Sequence, residues 1–423
     1  MIELGPGVVA ASRMTGRATG WTGALAMVMV CGVLSPPAAA TSLRDAITTA
    51  WGQDPNARSA RVDEMAASRT ARDTDSWFPS GPILNGQYQD DHFIGTNIGY
   101  TTYQGTIMLP LWLPGQGTAT VKNALADAEM ARATQKVAHL ATAIRVLDVT
   151  GTATLLRREL DSLRTADTLL ARIEHDTRHA VAVGESPTTD QEAVAGEKAD
   201  LDARIADTEQ NIETARAELG TLTGSEDIPD LMALDGHVLT ARGVKLDPEH
   251  DPRILLAAAA TRAAHASYEV AAHSYIPAPE VGLMVTKQGQ YGSPWDTQVG
   301  AQFTVALPSA ARNTPMLMKQ AKLVGLAERD AVLAERKVRL EYASTRAQLV
   351  AALKLLKSTR ASQGALDDRA NQLDHAWRVG ETSLIEALRA RRMALDAQMR
   401  AARAEVVWRV ALVRMILMAD ELP

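Results

Sequence analysis

Between residues 299 and 307 apolar side chains fall on every second position. Val299, Ala301, Phe303, Val305 and Leu307 are interleaved with Gly300, Gln302, Thr304 and Ala306. Period two is strand periodicity, and it predicts one apolar face and one small or polar face. A partner strand within EVGLMVTK puts Val281, Leu283 and Val285 on one side. A less regular pair comes earlier, where Tyr103, Ile107 and Leu109 alternate with Thr102, Gln104 and Thr106. These patterns place two β-hairpins, about 83–110 and about 280–307. Their connections, DDHFIGTNIG and QGQYGSPWD, are rich in turn residues.

The rest of the pattern is helical. Residues 42–75 and 248–273 are Ala-rich and charged. After each hairpin comes a very long run, about 118–183 and about 314–379. At 1.5 Å per residue, ~65 residues make a rod of roughly 100 Å. Val137, Leu140, Ile144 and Leu147 follow heptad spacing, as do Leu326, Leu333, Leu340 and Ala347, and Leu349, Ala352, Leu353 and Leu356 add a helical stripe. Coiled-coil-like packing is the reading. Each rod ends at a Val-Gly-Glu turn, AVGES or RVGET, and a return helix follows, about 187–220 and 383–418. Gly184 and Gly380 supply the positive φ of a helix C-terminus, and the following Ser186 or Thr382 can cap the returning helix.

The order of these pieces repeats. Asp54-Pro55 returns as Asp251-Pro252, WFPSGP at 77–82 as YIPAP at 275–279, and Pro110 as Pro308. Ala128-Glu129 returns as Ala327-Glu328, and Gly184 as Gly380, all at offsets of 196–199 residues. Five landmarks in one order at one spacing indicate a tandem duplication of a large unit, not a short solenoid repeat. The domains expected are a first repeat over 41–222, a linker over 223–250 and a second repeat over 251–423.

Composition narrows the class. Lys and Arg number 44 against 50 Asp and Glu, a net charge of −6, which gives no reason to expect nucleic acid as a partner. Arg13 and Arg17 precede the apolar run WTGALAMVMVCGVL and a small-residue stretch ending at Ala40. That is the pattern of a secretory signal over 1–40, with Met14 an alternative start. The single cysteine, Cys31, falls inside this run behind Val30, so lipidation and disulfides are not expected.

Aromatic placement adds the membrane. Of 17 Phe, Trp and Tyr residues, 11 lie in the windows 77–112 and 275–303, next to or within the strands. A helical core would spread them along the rods, whereas a lipid-facing barrel concentrates them in interfacial girdles. The strands also match the ~9–11 residues that a tilted membrane strand needs. Four strands cannot close a barrel, and open sheet edges cannot sit in lipid. The chain must therefore associate, and a cyclic trimer supplies twelve strands.

Taken together, the signal segment, the duplicated helix–hairpin–long helix–return helix unit, the Leu-Pro pairs and the two VGE turns resemble the TolC-type outer-membrane factors. The resemblance covers essentially all of the mature chain. It implies a mainly α protein with membrane β-structure: a trimeric twelve-stranded β-barrel continuous with a long α-helical barrel. It also implies a passive exit duct in the outer membrane of a Gram-negative bacterium, extending into the periplasm, that carries small molecules or ions. The implied partners are two further copies, a periplasmic adaptor, an inner-membrane transporter and outer-membrane lipid. A type I protein-secretion channel is the alternative. A periplasmic coiled-coil adaptor fits less well, because it would carry one helical hairpin rather than two, each with a strand pair.

Site residues follow from the resemblance. Gly184, Glu185, Gly380 and Glu381 are the adaptor-docking tips. In the family, two acidic residues one helical turn apart follow the second turn and ring the tunnel aperture. Counting from Gly380 places these at Glu386 and Arg389, so this chain departs from the pattern with a mixed pair. Asp190 is the first repeat's counterpart and more peripheral. No Gly-rich phosphate loop, nucleophile elbow or HExxH motif occurs, so neither catalysis nor a cofactor is expected. His175 and His179 have the i, i+4 spacing of a helical metal pair, with Glu174 beside them and His375 near the other tip. A solvated charged face explains them better, and no metal site is assigned.

Overall fold

A computed structural model describes residues 42–90, 99–233, 247–290 and 292–419. The signal segment with Cys31, the first hairpin's connection at 91–98 and the linker's 234–246 lie outside the described residues.

The first repeat opens with α1 (Leu43–Gln53) and α2 (Pro55–Thr74). The sequence pattern reads 42–75 as one helix, but Asp54-Pro55 divides it. The proline cannot donate to the preceding turn, and Asp54 becomes a cap, its side chain accepting from Asn56 N. Thr142 Oγ1 donates to the other carboxylate oxygen at 2.6 Å and ties the break to the long helix. The second repeat reuses the device. A short 3₁₀ turn at Pro248–His250 precedes α5 (Pro252–His273), capped by Asp251. Asp251 is buried and accepts from Arg253 N, Nε and Nη2 at 2.8–2.9 Å, while Arg253 also pairs with Glu341. Hydrogen bonding to Asp251 is the main influence holding the Arg253 guanidinium more firmly protonated than usual. The duplicated Asp-Pro dipeptide is thus a helix start used twice.

Strands β1 (Ile83–Asp90), β2 (Tyr100–Pro110), β3 (Glu280–Gln290) and β4 (Asp296–Thr304) form one antiparallel sheet in chain order. The two hairpins join through β2 and β3, which pair from Tyr100–Gln290 to Pro110–Glu280. Strand β4 stops at Thr304 opposite Glu280, so Val305 and Leu307 lie beyond the strand that their alternation suggests. The reason lies across the ladder: Pro277 and Pro279 precede β3, and proline has no N–H to continue pairing.

Long helices leave the sheet. They are α3 (Gln116–Ala182) and α6 (Ala310–Arg378), returned by α4 (Thr188–Thr223) and α7 (Leu384–Met418). Helix α3 is central and packs on α2, α4, α5 and α7, while α6 packs on α5 and α7. Around the middle of the rods, Leu43, Ile47 and Ala50 of α1 bury against Leu140, Val146 and Leu147 of α3 and Val406 and Val413 of α7. Further down, Leu163, Leu170 and Ile173 meet Val194 and Leu201 of α4 and Leu384 of α7. From 387 to 404 the buried face of α7 is alanine, at 387, 390, 394, 397, 401 and 404, which lets α6 approach closely. At the crossing of α3 and α7 the fit is close, and a Cβ on Gly151 would come 2.6 Å from Val410 Cγ2. Gly151→Leu should therefore overpack this crossing and lower stability by about 1–3 kcal/mol, read from urea or thermal unfolding.

The two predicted heptads behave differently. Leu140 and Leu147 on α3 are buried within the chain, with Val137 and Ile144 half-buried. On α6 the stripe through Leu333, Leu340 and Ala347 is exposed, and Val338, Tyr342, Thr345, Ala352 and Leu356 take the inward positions. Periodicity locates a seam without saying which partner fills it.

Candidate functional site

Register sorts the sheet into two chemical faces. Paired rows on one face are Leu84–Ile107–Leu283–Ala301, Gly86–Gly105–Val285–Val299, and Leu109–Val281–Phe303. Opposite them run Asn85–Thr106–Met284–Gly300, Gln87–Gln104–Thr286–Gln298, and Gln89–Thr102–Gln288–Asp296. Apolar side chains on the first face stand open to solvent in the single chain: Leu84, Leu283, Val299 and Phe303 are 63–80% exposed. A soluble sheet covers such a face with helices, and no helix among the described residues does so here.

Aromatics bound this band at both ends. At the far end Tyr88 and Tyr103 sit with ring centroids 5.1 Å apart, and Trp295 lies 5.8 Å beyond Tyr103. Lys287 Nζ stands 5.7 Å from the Trp295 ring on the same face. At the helix end Trp77, Phe78 and Tyr275 are exposed, and Trp112 Nε1 donates to Ser76 O at 3.0 Å. An apolar band between two aromatic belts is the surface a membrane interface selects.

Both tips close by the same backbone motif. Gly184 and Gly380 each adopt φ +81°. Gly184 N donates to Val181 O and Glu185 N to Ala180 O; in the second repeat Gly380 N donates to Trp377 O and Glu381 N to Ala376 O. These paired 5→2 and 6→1 bonds form a Schellman ending, which requires a left-handed residue at the glycine. The caps of the return helices differ from expectation. Ser383, not Thr382, accepts from Glu386 N at 3.4 Å, and in the first repeat Pro187, not Ser186, holds the cap position without any side-chain bond. The chain needs one residue more after the turn before helical geometry resumes.

Just above the second tip, Glu386 and Arg389 pair at 2.9 Å on an exposed face of α7. Asp190 lies at the matching place in the first turn of α4, and Ala193 stands where Arg389 does. The tips run level with each other: Arg392 of α7 reaches Glu197 of α4 at 3.5 Å and Asp200 at 4.0 Å. Among the described residues no three His, Cys, Asp or Glu are grouped to hold a metal. Among the described residues no helix is long and apolar enough to cross a membrane. Sequence reading missed Arg392 and the Arg253 cluster, because neither sits in a motif and both acquire partners only across helices.

No protein-family model matches the sequence, and a comparison with curated proteins gives no match. Solved structures do match. CusC superposes with a TM-score of 0.73 at 16% identity, covering 90% of this chain and 92% of that one. The outer membrane protein VceC of Vibrio cholerae gives 0.71 at 16%, with 90% and 96% covered. The open-state MtrE outer membrane channel of Neisseria gonorrhoeae gives 0.68 at 15%, with 90% and 89% covered. Identities this low speak to fold, and the agreement extends over nearly the full length of each. The chain has the fold of the TolC-type outer-membrane factors.

Proposed function

We propose that this protein is the outer-membrane channel of a Gram-negative tripartite efflux system, a passive duct for small molecules or ions. The observation that carries this reading is the sheet: one apolar face between aromatic belts, one amide-rich face, and two edges, β1 and β4, that pair with no further strand among the described residues. In lipid those edges must be paired, and three copies close a twelve-stranded barrel with the glutamine face inside. The repeats, 41–222 and 251–423, each give one strand pair and one helical hairpin to the assembly. The hairpins extend the duct into the periplasm, where the turns at Gly184, Glu185, Gly380 and Glu381 meet the adaptor, and an inner-membrane transporter supplies the energy. Its fold likeness to VceC and MtrE, both described as outer membrane proteins or channels, supports the placement.

The narrow end of the duct is assigned to Glu386 and Arg389, with Asp190 peripheral. Three copies of an ion pair make a mixed ring, which favours cations less than a carboxylate ring does. An exposed i, i+3 pair is worth little in stability, so its effect belongs to conduction. In planar bilayers the protein should form channels, and Arg389→Ser should raise both open probability and cation preference, with Glu386→Gln moving selectivity the other way. A protein that inserts no channels would sink the duct reading. Unchanged conductance and selectivity in both variants would move the constriction elsewhere.

A further inference from the structure

Helices α4 and α6 occupy opposite edges of the chain's helical layer, α4 beside α3 and α6 beside α5 and α7. Along α6 an outward stripe recurs every three or four residues and is exposed throughout: Leu333, Leu340, Ala343, Ala347 and Val350 supply its apolar part. Leu340 is 72% exposed and Leu333 and Val350 are 52% exposed each, a contiguous apolar strip of the kind that marks an interaction surface. Arg336, Arg346 and Lys354 stand in or beside this stripe, exposed and without an ion-pair partner among the described residues.

The other edge carries the opposite charge at the same height. Helix α4 holds nine acidic and three basic residues, and its end at Gly224 leads into Glu226, Asp227 and Asp230, all exposed. Height follows from the hairpins. The Arg392–Glu197 contact sets the two tips level, eight residues after Leu384 and nine after Thr188. Thr223 is 35 residues from Thr188, and 35 residues back from Arg378 is Ala343. The acidic turn therefore lies level with the middle of the cationic stripe.

We propose that these two surfaces form a clasp between neighbouring copies of this chain, with Glu226 and Asp227 of one copy against Arg336, Arg346 and Lys354 of the next. The clasp rests on the ring assembly proposed above. Rotation about a ring axis preserves height, so edge features at equal height meet. It is also continuous with strand closure, since β4 leads into α6 and β1 follows α2 on the other edge. Leu333, Leu340 and Val350 supply burial, and the charges fix register and exclude staggered pairings.

The test uses the full chain in detergent. Asp227→Cys with Ala347→Cys, in a mature chain expected to hold no other cysteine, should give intermolecular disulfides that chase to covalent trimer on oxidation and vanish on reduction. Arg346→Glu with Lys354→Glu should lower the melting temperature of the assembly, and adding Glu226→Lys with Asp227→Lys should restore it. Native mass measurement separates the two readings. A trimer that neither cross-links nor responds to charge reversal overturns the clasp and leaves the channel standing. Monomers at every concentration overturn both.

Discussion

Arginine in place of Leu283 should cost the assembled protein about 2–4 kcal/mol, the penalty for a cation near the midplane of a barrel's lipid face. Leu283 sits mid-strand between Ile107 and Ala301, in the centre of the apolar band and away from both aromatic belts. Three residues on, Thr286 belongs to the glutamine row on the opposite face. Thr286→Arg should therefore cost far less, because an inward guanidinium keeps its water. Urea-dependent folding into vesicles, or loss of heat-modifiable migration, would read the difference. The same loss from both substitutions would mean that the faces are assigned wrongly. Val305, which extends the alternation in sequence, is a poorer probe, since pairing ends at Thr304.

Gly380→Val is the second large effect, and it acts without any collision. Apart from its two chain neighbours, no atom of the described residues lies within 4 Å of where a Cβ would stand, so the cost is that of the φ of +81°. A β-branched residue held there pays on the order of 1–3 kcal/mol, or else the turn opens and loses the bonds from Gly380 N and Glu381 N. The tip is far from the sheet, so trimer and surface-exposed barrel should persist while export is lost. Asparagine tolerates the left-handed region, and Gly380→Asn should retain much of the transport. Normal export by the valine variant would remove Gly380 from the docking surface.

Much of this architecture is written in local pattern. Period two marks Val281–Val285 and Val299–Phe303 as strands because side chains alternate across a pleat whatever the sheet becomes. Gly184 and Gly380 mark the tips because only glycine enters φ > 0 freely, and the Asp-Pro pairs mark helix starts because proline needs no hydrogen bond there. Each signal depends on a few neighbouring residues, and each survives duplication. The resemblance built on them led to the fold that the solved structures share.

Other features depended on what lies across the gap. The anchoring of Asp54 to α3 needs Thr142, the end of β4 needs the prolines before β3, and Arg392 finds Glu197 only because the two tips are level. The heptads are the clearest case. Leu140 and Leu340 carry the same periodic signal, yet the first is buried by α1 and α7 and the second faces out. Hydrophobic spacing states that a face must be covered. Which element covers it is a property of long-range packing, and for α6 the described residues of the chain provide no cover: burial is a sum over neighbours that the local sequence does not encode.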